Sequence, residues 1–330
     1  MKQYNYCLDF IKGIACIFVV FMHCEFPGLL GTAVQAISRF SVPLFFMVSG
    51  YFCFRSTESK TSRSEANRKI KHIGKITLFS CIFFFCFFLL RKFLHGGTHL
   101  SISFRESLNW LLFNQPVWVA GQYWFLFALL YTYIFYFLFE LNGKRIWAYR
   151  LAAAMFGAYL LLAQGAYIAG IYIPNCMYRN WLVEGFAFFM LGHWIHEHQS
   201  QIKEKCNNKA LITIIIVSTL LNLLERWIIG RDFGVNICSF PQVTAMFIYA
   251  IKNPTRHQGN LQLLGKNCAM FVYILHPAVW LAMADCYKAI HIDENLPALY
   301  LMPVIVLGIT ILLSVACNRL QQHFSPSKKK

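Results

Sequence analysis

Charge is scarce in this chain. Only 13% of its 330 residues are charged, and acids are the rarer kind, with 14 Asp and Glu against 30 Lys and Arg. A soluble domain carries about 25% charged residues, so the composition excludes a water-exposed surface for most of the sequence. No Cys-x-x-Cys pair occurs among the twelve cysteines, which lie scattered, mostly inside apolar runs. They read as small buried apolar side chains. A GxSxG elbow, a Walker loop and an HExxH motif are all missing. His196-Glu197-His198 is no substitute, because residues two apart on a helix face different ways. No small-x-small cleavage site follows the first apolar run, which therefore reads as a first membrane helix.

What the chain has instead is apolar length. It is 58% hydrophobic and 17% aromatic, and its 32 Phe gather in runs such as "CIFFFCFFLL" at 81–90. A membrane crossing takes about 20 mostly apolar residues. Ten stretches qualify: 8–30, 38–54, 74–94, 119–140, 150–170, 180–197, 210–229, 236–252, 266–284 and 297–318. The second and eighth are short enough to be tilted or partly re-entrant. With the N-terminus placed inside, 21 Lys and Arg fall on the inner side and 8 on the outer, with Lys12 inside a span. That asymmetry puts both termini on the cytoplasmic side. The expected fold is all-α, a polytopic membrane bundle of about ten transmembrane helices over residues 1–320, with a basic cytoplasmic tail at 321–330. The net charge of +16 sits between apolar spans, so it points to a lipid bilayer as partner and away from nucleic acid.

The first span, "LDFIKGIACIFVVFMHC", carries Asp9, Lys12 and His23. Eleven residues on a helix turn the chain only about 20° off whole turns and raise it by about 16 Å, so Lys12 and His23 share one stripe. Asp9 lies at i−3 from Lys12, and Cys16 and Val19 continue the stripe. Lys12 reads either as a residue snorkelling to the inner headgroups beside Asp9 or as the lining of a wet cavity. His23 reads either as a polar group at the outer interface or as part of that cavity. A shared stripe favours the cavity. The loop 55–73 is either a topogenic basic loop or a phosphate-binding patch, and 102–112 shows the spacing of an interfacial amphipathic helix. No internal repeat is present.

Five segments in order give a resemblance. "LDFIKGIACIFVVFMH", with Lys12-x10-His23, resembles the first helix of the acyltransferase family 3 membrane proteins, with Lys in place of the commoner Arg. "SVPLFFMVSGYF" (41–52), "YWFLFALL" (123–130), "FAFFMLGHWI" (186–195) and "LGKNCAMFVYILHPAVW" (264–280) resemble its later motifs. One departure is the stretch "RKIKHIGK", where Arg68-x-x-Lys71 or Lys69-x-x-His72 stands for the family's Arg-x-x-Arg. The resemblance implies a multi-pass protein of the bacterial cytoplasmic membrane that moves an acyl group, usually acetyl, from acyl-CoA to a hydroxyl of an envelope carbohydrate or glycolipid, without a metal.

In that frame His23 is the expected general base, since imidazole titrates near neutrality. Lys12 and Asp9 are its catalytic companions, with Lys12 also reaching the donor. Arg68, Lys69, Lys71 and Lys75 are the expected CoA phosphate contacts. Ser49, with the Gly50 backbone, is the candidate oxyanion donor. Trp124 and Glu184 are candidate sugar contacts. His276 is either a cavity-lining contact and proton partner or a structural interhelical hydrogen bond. The alternative function is an exporter of polysaccharide or small solutes. The paired, broken halves such transporters show are missing from this sequence.

Overall fold

The structure is a computed structural model of the chain and describes residues 4–54, 59–95, 103–114 and 121–324. In chain order the helices are α1 (Tyr6–His23), α2 (Gly28–Ser38), α3 (Ser41–Tyr51), α4 (Ser59–His95), α5 (Phe104–Phe113), α6 (Trp124–Leu141) and α7 (Arg145–Leu160). A π-helical turn, Leu161–Gly165, continues α7 into α8 (Ala166–Ile168), and a second, Trp181–Phe186, opens α9 (Ala187–Glu197). Then follow α10 (Gln199–Lys205), α11 (Asn208–Ile229), α12 (Ser239–Lys252), α13 (Asn260–Asn267), α14 (Ala269–Ala289) and α15 (Leu296–Phe324). No strand occurs among the described residues, as the all-α expectation requires.

Eight stretches among the described residues are long and apolar enough to cross a membrane: Tyr6–His23, Gly28–Tyr51, Asn67–Leu94, Gly121–Leu141, Arg145–Ile168, Asn208–Ile229, Ala269–Ala289 and Leu296–Phe324. The expected spans at 180–197 and 236–252 are not among them. The first is a π turn followed by eleven α-helical residues, and the second is the fourteen-residue α12. The expected span 38–54 starts earlier, because α2 and α3 together run from Gly28 to Tyr51. The tail at 325–330 and the loop segments 55–58, 96–102 and 115–120 lie outside the described residues. The amphipathic helix expected near 102–112 is α5, started by a capping box in which the Ser103 hydroxyl accepts from the Glu106 N–H and the Glu106 carboxylate accepts from the Ser103 N–H. The Ser103 N–H and hydroxyl, both donating to the Glu106 carboxylate, hold it below its usual titration range.

The chain divides into two compact units, Met1–Val42 with Lys203–Lys330, and Pro43–Ile202. In the first, α1 is the hub, packed by α2, α12, α13, α14 and α15. Asn5 starts it, its side chain accepting from Leu8 N and donating to the Ala250 carbonyl. Against α13 it crosses backbone to backbone. A Cβ on Gly13 would stand 2.0 Å from the Leu261 carbonyl oxygen, and one on Gly265 1.9 Å from that of Asp9. Small residues at such a crossing let the two backbones approach closely. Between α11 and α12 the buried Asn222, Gln242 and Ser239 join with the half-buried Thr219 in one hydrogen-bonded set.

In the second unit α6 packs on α4 and on the Trp181–Phe186 turn, and α7 on α9. Here too a pair of glycines lets backbones touch. A Cβ on Gly50 would stand 1.8 Å from the Phe189 carbonyl oxygen, and one on Gly192 2.0 Å from that of Met47. Both glycines belong to motifs singled out in the sequence, and their place in the fold is a helix crossing.

Candidate active site

The stripe on α1 is turned into its unit. Cys16 and Val19, which connect Lys12 to His23, are 2% and 3% exposed. At the N-terminal end the Lys12 ammonium lies 2.7 Å from the Asp9 carboxylate. The Tyr4 hydroxyl donates to the other Asp9 oxygen, and the Lys266 ammonium stands 4.6 Å from the centre of the Tyr4 ring. Burial and the neighbouring Asp9 carboxylate raise the Tyr4 phenol well above its ordinary value, so it stays a donor. Lys12 is thus held in a polar cluster by its own i−3 acid. The Lys12–Asp9 pairing that the sequence allowed is present.

At the other end His23 is the last residue of α1 and is half-buried. Its ring stacks on that of His276 from α14, with centroids 5.2 Å apart and planes at 27°. His276 is fully buried, and its Nδ1 donates to the Val272 carbonyl at 3.0 Å. A carbonyl only accepts, so Nδ1 carries the proton and Nε2 of the neutral ring presents a lone pair. That Nε2 is buried with no hydrogen-bond partner among the described residues. Pro277 follows at once inside α14 and removes one backbone donor beside the ring. The arrangement is a stacked imidazole pair in which the buried member is oriented by backbone and the outer one is reachable.

The basic residues of α4 separate by face. Arg68, Lys71 and Lys75 line an open hollow of about 470 Å³ with Ser64, Asn67 and His72. These positions repeat at three and four residues, so they form one stripe. Lys69 is not in it. Its ammonium lies 2.6 Å from the Phe52 carbonyl and 5.9 Å from the centre of the Tyr133 ring, where it closes the C-terminal end of α3. The structure therefore brings three of the four expected donor contacts together and gives Lys69 another place.

The remaining candidates lie in the second unit, each with a partner of its own. The Ser49 hydroxyl donates to the Phe45 carbonyl at 2.8 Å, and Gly50 is interior to α3, where helical N–H groups are already used. Trp124 is 3% exposed, with the Arg179 guanidinium 4.7 Å from its ring centre on one face. Glu184 is 1% exposed and sits in the π turn that Asn180 caps by accepting from Leu182 N and Val183 N. π turns often carry side chains out of helical register at functional sites.

One cluster was not read from the sequence. His193 is fully buried between two phenols, with Nε2 3.0 Å from the Tyr136 hydroxyl and Nδ1 2.7 Å from that of Tyr149. Tyr136 donates to Glu140 and Tyr149 to Glu197, and Arg145 reaches both carboxylates at 3.2 and 3.6 Å. The set ties the ends of α6, α7 and α9. Its sequence signal was the i,i+4 repetition Tyr136/Glu140, Arg145/Tyr149 and His193/Glu197.

No curated protein and no solved structure matches the chain. A family model described as an acyltransferase domain matches residues 5–319. The match runs through both units and takes in the α1 stripe, the α4 hollow and the histidine pair. The chain belongs to the acyltransferase family 3 membrane proteins.

Proposed function

We propose that the chain is a membrane O-acyltransferase that takes acetyl from cytoplasmic acetyl-CoA and places it on a hydroxyl of an envelope carbohydrate or glycolipid. His23 removes the proton of the acceptor hydroxyl as its oxygen attacks the thioester carbonyl. The carbon–sulfur bond then breaks, and the CoA thiolate takes the proton back from His23, so no net proton is gained or lost. General-base help of this kind contributes about 10²–10⁴-fold. His276 Nε2, oriented by the Nδ1 bond to Val272, steadies the outer ring or the acceptor hydroxyl. Arg68, Lys71 and Lys75 hold the CoA phosphates as charge-assisted donors. Lys12, set by Asp9, supplies positive charge at the inner end of the stripe.

The observation that carries this reading is the stacked His23–His276 pair at the end of the same α1 stripe that begins with Lys12 and Asp9. The proposed site in the cell is the cytoplasmic membrane of a bacterium, with both termini inside. Ten crossings, counting 180–197 and 236–252 with the eight long apolar stretches, keep Lys203, Lys205 and Lys209 on the cytoplasmic side. The test is to reconstitute the protein in liposomes with acetyl-labelled acetyl-CoA and extracted envelope glycans. Label appearing as alkali-labile ester on the glycan supports the reading. Glycan flux without ester formation contradicts it and favours the exporter.

A further inference from the structure

A helix leaves its last four carbonyls without intrahelical donors. At the end of α1 Val20 is served by the backbone N–H of Cys24 at 2.9 Å. Phe21 and Met22, the two residues before His23, are served by one side chain from another helix. The Gln35 amide nitrogen donates to both carbonyls, at 3.3 and 3.0 Å. Gln35 is 3% exposed, and its carbonyl oxygen accepts from Arg39 Nη2 at 2.7 Å. The same nitrogen lies 3.0 Å from Asp232 Oδ2, so its two hydrogens go to Gln35 and to Asp232. Asp232 follows α11 and also faces Arg226, with Nε at 3.5 Å. A continuous polar chain, buried at Gln35 and Arg39 and partly exposed at Asp232, thus runs from the segment behind α11, through α2, to the last turn of α1.

We infer that Gln35, Arg39 and Asp232 are positioning residues for His23, a role that rests on His23 being the base proposed above. Two hydrogen bonds onto the peptides just ahead of His23 fix the direction of its Cα–Cβ bond. That direction sets where the imidazole meets the His276 ring and the acceptor hydroxyl. A tie that only joined helices could bond any exposed carbonyl. This one holds the two peptides that aim the ring, and its far end is an ion pair, which resists slipping. Misplacing a catalytic group by about 1 Å costs on the order of 10²-fold in rate.

The test uses the full chain in liposomes with acetyl-labelled acetyl-CoA and envelope glycan extract. Gln35→Met keeps side-chain volume and removes both donors. The expected result is a maximal transfer rate lowered about 10–100-fold, with the half-saturating acetyl-CoA concentration unchanged within about twofold. Independently of turnover, diethyl pyrocarbonate modification of His23, read by mass spectrometry against the exposed His323, should change about threefold or more. Should Gln35→Met not fold, Arg39→Lys against Arg39→Met reads the same chain, and lysine, which keeps charge and donors, should recover part of the lost rate. An unchanged modification rate in folded variants overturns the inference. So does a changed modification rate with unaltered turnover, which would leave the chain a structural tie. Full transfer by His23→Ala would instead sink the base assignment itself, and the inference with it.

Discussion

His276 shows how little freedom a buried imidazole has. One nitrogen is committed to Val272, and the other is a buried lone pair on a ring stacked against His23. His276→Phe retains a ring to stack on His23 and loses the Nε2 acceptor together with the Nδ1–H donor to Val272. Its transfer rate should fall about 10²-fold, the low end of what one hydrogen-bonding group supplies to catalysis, measured with saturating acetyl-CoA. A rate equal to wild type would reduce His276 to a packing residue. That Lys12, Asp9 and His23 share one stripe of α1 was legible from spacing alone, because the helical period of 3.6 residues decides which side chains lie together. The partnership of His23 with His276 was not, since about 250 residues separate them and only the close α1–α14 packing joins them. Lys69 was grouped with its neighbours by charge. Its 100° offset from Arg68 already put it on another face, and the Phe52 carbonyl now explains where it goes.

Two helix crossings and one basic stripe carry the elements. At Gly50 a side chain would drive straight into the Phe189 carbonyl, a backbone atom that cannot swing aside. Gly50→Leu should therefore cost about 1–3 kcal/mol or more of stability, seen as a lower melting temperature and lost monodispersity in detergent. An unchanged melting temperature would contradict the crossing. The sequence marked Gly50 and Gly192 through family motifs beside candidate site residues. The structure adds the reason, a backbone contact no spacing rule could have revealed. On α4, charge removal should act on donor affinity. Exposed ionic contacts are worth about 0.5 kcal/mol each, so Arg68→Gln with Lys71→Gln and Lys75→Gln should raise the half-saturating acetyl-CoA concentration about tenfold. Added salt should erase most of the difference. Lys69→Gln should leave that concentration unchanged, and a shift as large as the triple variant's would return Lys69 to the donor site.

For the whole molecule the open quantity is the path of the chain through the membrane. Hydropathy identified the long apolar helices, and eight of them stand in the structure. The two short stretches were harder to read, because a π turn and a fourteen-residue helix give weak windows. Eight or ten crossings both return the C-terminus to the side of the N-terminus, but they put the segment around Cys206 on opposite sides. In a chain with Cys206 as its sole cysteine, the ten-crossing reading predicts that an impermeant maleimide labels it only after the membrane is opened. Labelling of intact cells would favour eight. Acceptor deprotonation at the outer end of the α1 stripe is the claim on which the account stands. Its most direct measurement is single-turnover transfer by purified His23→Ala in liposomes, with folding verified by the melting temperature. Loss of about 10²-fold or more in ester formation, with acetyl-CoA binding retained, is the predicted result. Transfer at the wild-type rate would contradict it.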